Sequence, residues 1–171
     1  KGGLLLQQGD NPEAAKALVR AIDLDQRNFT AWLWYANSLL NMRRYDEHLT
    51  ALETALSLEP MSRPVNNNLA FSYQNRGDFE RSLQHFDRLL ELKGQNWERY
   101  RLSKVSLYFW SGELARAVED ARKILAKDPA DVQAMTWLID ANVAFGDLET
   151  ADTWAERVIA LDPTTAWGQD V

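Results

Sequence analysis

The sequence predicts an all-α solenoid, and three observations carry that reading. Gly9, Gly77, Gly112 and Gly146 recur at intervals of 68, 35 and 34 residues, and Arg43 fills the slot 34 residues after Gly9. A period of about 34 residues with one slip marks a repeat protein built from helix-length units. After each turn position, at one interval, comes a small residue or its stand-in (Ala14, His48, Ser82, Ala117, Ala151), and then Ala21, Ala55, Leu89, Ile124 and Val158. The closing strings repeat as well: Ile22-Asp23-Leu24-Asp25, Leu56-Ser57-Leu58-Glu59-Pro60, Ile124 to Pro129, and Ile159-Ala160-Leu161-Asp162-Pro163.

These strings resemble the tetratricopeptide repeat family, and the resemblance runs through nearly the whole chain. It implies a right-handed superhelix of about five helix-turn-helix units, forming one continuous array over 1–171. The units fall at 1–28 (truncated), 29–62, 63–97, 98–131 and 132–165, with 166–171 as the start of a further helix. Each unit should read first helix, turn at the glycine, second helix, turn near the Asp-Pro.

The local chemistry justifies each element in turn. In the first unit, Gly2 lies where the family carries a glycine midway along its first helix, so Lys1 is expected inside a helix that begins upstream. Ala166-Trp167 would likewise open another first helix, and the chain is expected to be a segment of a longer protein. Glycine at the turn permits a positive φ without a Cβ penalty. Ala14, Ala117 and Ala151 let the two helices of a unit approach, and Tyr45, Phe79, Leu114 and Leu148 are expected to pack at the start of each second helix. Pro60, Pro129 and Pro163 end their helices because proline lacks the amide donor and clashes with the preceding turn.

Three departures stand out. In the second unit Arg43 replaces the turn glycine and His48 the small residue. In the third, Gly94 replaces the terminal proline, and Lys93-Gly94-Gln95-Asn96 carries the one-residue insertion. Two registers then compete for the next helix. Counting from Trp97 points Tyr100, Ser103, Lys104 and Leu107 inward, whereas counting back from Gly112 points Arg101, Lys104, Val105 and Tyr108 inward. A local distortion is expected there.

Composition bounds the function. Apolar residues make up 46% and charged residues 26%, as in a folded domain. A net charge of −6 with a pI near 5.0 argues against nucleic acid, whose recognition leans on a basic surface. With no cysteine there is no disulfide, thiolate chemistry or cysteine zinc site, which suits bacterial cytoplasm or periplasm alike. No apolar run approaches the roughly 20 residues of a membrane span. His48 and His85 lie at non-equivalent repeat positions without a helical metal-pair partner, and no phosphate-cradling loop or nucleophile elbow occurs. No enzyme, metal site or cofactor is expected.

The resemblance implies that first-helix residues line a concave, peptide-binding face. Carried over position by position, the candidates are Trp34, Asn37, Asn67, Asn68, Phe71, Asn75, Arg99, Trp110, Trp137 and Asp140. Amides carry both a donor and an acceptor and so match an extended peptide backbone. Trp and Phe offer flat apolar area with little rotamer entropy to lose. The alternative is ordinary packing for the aromatics and solvation for the amides. Some family members grip a terminal carboxylate with Lys and Asn, then Asn, then Lys and Arg. Here those positions hold Leu33 and Asn37, Asn68, and Arg99 and Ser103, so two amides and one cation agree while the first lysine and last arginine are missing. Arg99, Arg101 and Lys104 form the one basic stripe.

The expected function is a non-enzymatic scaffold that holds a protein or peptide segment in the concave groove. A second reading is a sensor or assembly module of a larger bacterial regulator, because the string from Leu58 to Ala70 resembles repeat regions attached to winged-helix activators and cyclases. Self-association into a homo-oligomer is a third, because uncapped ends would expose apolar faces.

Overall fold

The computed structural model describes residues 2–94 and 99–161, which form ten helices and no strand. The chain divides into two compact units, Lys1–Leu92 and Lys93–Val171. The first holds α1 (Gly2–Gln7), α2 (Asn11–Leu24), α3 (Phe29–Asn41), α4 (Tyr45–Leu58), α5 (Arg63–Asn75) and α6 (Phe79–Glu91). The second holds α7 (Arg99–Trp110), α8 (Leu114–Leu125), α9 (Val132–Phe145) and α10 (Leu148–Leu161). Each odd helix packs on the even helix that follows it, as helical hairpins, and α2 on α3, α4 on α5 and α8 on α9 join successive hairpins within a unit. Of the helices expected to end at a proline, α4 and α8 stop two and four residues before Pro60 and Pro129. The termination at Pro163, Trp97 itself and the helix start at Ala166-Trp167 lie outside the described residues.

Every hairpin turns on one residue with positive φ: Gly9 (80°), Arg43 (60°), Gly77 (74°), Gly112 (80°) and Gly146 (78°). Crossed backbone bonds close all five. Asp10 N–H donates to Leu5 C=O, Arg44 to Leu39, Asp78 to Tyr73, Glu113 to Tyr108 and Asp147 to Asn142, at 2.8–3.0 Å. This is the left-handed helix stop, which satisfies carbonyls the helix leaves orphaned. In three turns the following aspartate then caps the next helix: Asp10, Asp78 and Asp147 accept from the amides of Glu13, Arg81 and Thr150 at 3.1–3.2 Å. The second hairpin keeps the crossed bond but has neither the glycine nor the capping aspartate. Arg43 adopts the left-handed backbone with a Cβ, and Arg44 makes no side-chain cap but pairs with Glu47 one turn on, at 2.5 Å.

Close approach of paired helices needs small atoms at the crossing. Ala14, Ala117 and Ala151 are buried there. Gly2 serves the same end on α1, since a Cβ in its place would lie 2.6 Å from Leu18 Cγ of α2. The remaining two hairpins place a polar group at the crossing and bond it to the facing helix. Ser82 Oγ donates to Ala70 C=O at 2.7 Å, and His48, fully buried, meets Ala36 C=O through Nδ1 at 2.9 Å and Ser72 Oγ through Nε2 at 3.0 Å. A carbonyl only accepts, so Nδ1 carries the proton and Nε2 accepts from the serine hydroxyl.

Two expectations are corrected. Tyr45 and Leu148 do not pack at the start of their helices, being 53% and 61% exposed; each stands one residue after its cap position, on the outer side of the turn. In α7 neither register holds alone. Tyr100 and Leu107 from one and Val105 from the other are all buried, while Arg101, Lys104 and Tyr108 are half-buried. The helix packs on both α8 and α9, so apolar residues on two faces are covered. Lys93, in the string ahead of α7, has φ +34°, while α7 itself is an α-helix from Arg99 to Trp110.

Two stability predictions follow from the second hairpin. Arg43→Gly should raise stability by about 0.5–1 kcal/mol, because the strain of a left-handed non-glycine exceeds the entropy that glycine adds to the unfolded chain; a thermal melt reads it, and an unchanged or lower Tm would show the turn to be unstrained. Burial holds the His48 imidazole below its ordinary value of 6.5, and burial followed by the charge of Arg88 does the same to His85. The unfolded chain therefore takes up protons first as pH falls, and stability is lost from about 6.5 downward. Urea melts across this range should show that decline, and His48→Ala should make it shallower although it lowers stability at neutral pH.

Candidate functional site

In the first unit, α3 and α5 present the predicted amides side by side. Trp34 and Asn37 share one face of α3, and Asn68 and Phe71 one face of α5, by their three-residue spacing. Asn68 Nδ2 donates to Asn37 Oδ1 at 3.2 Å, across adjacent first helices. That bond uses one donor and one acceptor. The Asn37 NH2 and the Asn68 carbonyl oxygen make no further hydrogen bond among the described residues, which leaves a donor and an acceptor next to each other.

Trp34 is 41% exposed, and its ring lies so close to α1 that a Cβ on Gly3 would sit 2.4 Å from Cζ3. The indole is packed on one side and open on the other. A pocket of about 480 Å3 adjoins it, lined by Gly3, Leu4, Gln7, Trp34, Asn37 and Asn41. Phe71 is half-buried and meets buried Phe86 of α6 edge-on at 5.3 Å, so packing and surface roles coexist in one ring. Asn67 is half-buried and Asn75 exposed.

Asn75 lines a different pocket, of about 630 Å3, beside the Arg43 turn, with buried His48, half-buried Ser72 and exposed Arg43, Arg44 and Arg76 also on its wall. Arg44 pairs with Glu47 and Arg76 with Asp46. Sequence reasoning missed this pocket as a feature, although its two signals, Arg43 and His48, are the residues that break the repeat pattern.

In the second unit, aromatic rings gather where α7 and α9 meet. Phe109 lies edge-on to Trp110 at 5.5 Å and tilted against Trp137 at 5.3 Å, and the two indoles stand at 85° to one another with centroids 6.5 Å apart. Trp137 and Phe109 back onto the core of Met135, Leu138 and Val105, whereas Trp110 is 62% exposed. Asp140, one helical turn after Trp137, is half-buried, and burial pushes its carboxyl above the ordinary carboxylate value.

Arg99 does not join this group. It opens α7 at the end opposite Trp110, about 17 Å away along the axis, with its guanidinium 5.7 Å from the Tyr100 ring, and it lines a small cavity of about 140 Å3 with Ile124, Lys127 and Asp131. The basic stripe is partly spent on packing, since Lys104 lies 5.6 Å from the centroid of Tyr108. Among the described residues no cluster of His, Asp and Glu could hold a metal ion, and no helix is long and apolar enough to cross a membrane.

Comparison with known proteins agrees with this geometry. One tetratricopeptide repeat model matches residues 1–60 and 102–166, and a second matches residues 67–94. The chain is 26% identical, over 95% of its length, to a tetratricopeptide repeat and J domain-containing co-chaperone, DNJ1, of Cryptococcus neoformans var. grubii, and spans about a third (33%) of that protein. Among solved structures it resembles MamA, with a TM-score of 0.81 at 15% identity, covering 99% of this chain and 92% of that one. It also resembles YrrB, described as a TPR protein with an unusual peptide-binding site, with a TM-score of 0.80 at 18% identity, covering 98% and 86%. At these identities the likenesses establish the fold.

The raised Asp140 value gives a prediction with a definite sign. A carboxyl whose folded value exceeds 3.8 binds its proton more tightly in the native state, so it costs stability as pH rises from 3.8 through that value. Asp140→Asn, of the same size and uncharged, should raise Tm at pH near 7, with the gain vanishing below about pH 4. A gain that persists in acid would trace the effect to packing instead.

Proposed function

Because this chain belongs to the tetratricopeptide repeat family, we propose that it is a non-enzymatic protein-interaction scaffold that holds an extended peptide segment along the first-helix faces of its repeats. One observation carries the reading: the Asn37–Asn68 pair, half-buried, hydrogen-bonded across two repeats and left with one open donor and one open acceptor. A peptide group offers a carbonyl and an N–H in the same small space, so it can complete both amides at once.

The helices that hold these side chains are fixed by packing before any ligand arrives. The extended segment therefore bears most of the ordering entropy, and the scaffold loses little. Trp34, open on one side, and Phe71 supply apolar area beside the amides, in keeping with the way aromatic anchors dominate binding energy. In the second unit Trp110, Trp137 and Asp140 offer a further contact set, and Arg99 a separate cationic one. The peptide-binding site described for YrrB is consistent with this reading.

The test begins with a random peptide display library selected against the whole chain. Asn68→Ala should weaken a selected peptide by about 1–3 kcal/mol, the cost of leaving a buried partner group unpaired, measured by calorimetry with the fold checked by circular dichroism. An effect within error for both Asn68→Ala and Asn37→Ala, or a library that yields no binder, would reject the amide groove.

A further inference from the structure

Three facts about the second unit converge on Asp140. Its carboxylate is half-buried, yet it makes no ion pair or hydrogen bond among the described residues. Residues 95–98 and 162–171 contain no Lys, Arg or His that could supply a partner. Asp140 follows Trp137 by one turn of α9, and the Trp137 indole meets that of exposed Trp110 at 85°. Desolvating a carboxylate without compensation is costly, and the cost would be recovered by a cation.

Aromatic faces attract the same kind of ligand. Their negative quadrupole draws ammonium and guanidinium groups to within about 6 Å of the centroid, and this unit already uses that chemistry internally. Arg116 and Lys104 stand 5.8 and 5.6 Å from the Tyr108 ring, and Arg157 4.7 Å from Trp154. Lys123 is held by Glu119 and Asp120 at 2.7 and 2.9 Å. These cations of the unit are engaged elsewhere, and Trp110, Trp137 and Asp140 remain as two aromatic walls and an anion without one.

We propose that Asp140, Trp110 and Trp137 form a receptor for a lysine or arginine side chain of the bound segment. The proposal rests on the scaffold reading for the source of the cation and deepens it by naming the chemistry selected: a basic segment, whose aliphatic stem lies on the indoles while its charged head meets the carboxylate. It assigns the second unit the opposite preference from a carboxylate-gripping groove.

The test uses the full chain labelled with 15N at the indoles, with the Trp110 and Trp137 signals assigned by Trp→Phe variants. N-acetyl-lysine methylamide and N-acetyl-norleucine methylamide, matched in stem length and differing in the charge, are titrated in turn. Both indole signals should move with the lysine amide, and the norleucine amide should bind about tenfold more weakly or not at all. Asp140→Asn, which is isosteric and keeps the indole reference spectrum, should reduce the lysine response to the norleucine level. Equal responses to the two amides, or an undiminished response in Asp140→Asn, would overturn the site. Indole signals that move with protein concentration alone would place a second copy's cation there and overturn it too. Display-selected peptides separate the two ideas: binders without enrichment in Lys or Arg, together with equal amide responses, would reject the cation receptor and leave the scaffold standing. A discriminating lysine response with no peptide binder would reject the scaffold and leave the receptor.

Discussion

Each hairpin of this protein depends on bringing two helices to close contact at one crossing, and the rest of the architecture is arranged around it. Ala14, Ala117 and Ala151 leave room for backbone to approach backbone, and the left-handed turn five residues earlier aims the second helix back along the first. Without that approach the apolar stripes of the paired helices would face water, and the next hairpin would have no surface to stack upon.

The second and third hairpins meet the same constraint by other means. Ser82 and His48 are too polar to bury without partners, so each bonds to a carbonyl of the facing helix, Ala70 or Ala36, and the histidine extends the link to Ser72 of the following hairpin. A neutral imidazole thus joins three helices, α3, α4 and α5, where an alanine would have joined two. The same hairpin tolerates Arg43 at φ +60°, with crossed turn bonds of ordinary length. A left-handed arginine and a buried titratable group thus fall in one repeat, beside the pocket that Asn75 lines.

The side chains of the proposed binding surface are held in place by this packing. Asn37 and Asn68 are adjacent because α3 and α5 belong to consecutive repeats, and Trp34 is half open because glycine at position 3 lets its ring settle on α1. Trp110 projects from a cluster whose other rings, Phe109 and Trp137, are anchored on the core. In both units the exposed chemistry sits on side chains whose inner halves are already packed. This limits the entropy that a ligand must remove.

The period of Gly9, Gly77, Gly112 and Gly146, with its companion small residues, determined the all-helical repeat fold, the positions of the turns and the residues that occupy first-helix faces. These are local matters: glycine is favoured by a left-handed φ, alanine by a close crossing, and proline by a helix end, so each leaves a mark at a fixed sequence spacing. Tertiary structure alone decided what depends on groups distant in the chain. It paired Asn37 with Asn68, set Trp110 against Trp137, left Asp140 without a partner among the described residues and exposed Tyr45 and Leu148. The helix α7 shows the boundary most plainly. Its two candidate registers could not be ranked by periodicity because α8 and α9 cover different faces of it, and both faces carry apolar residues for that reason.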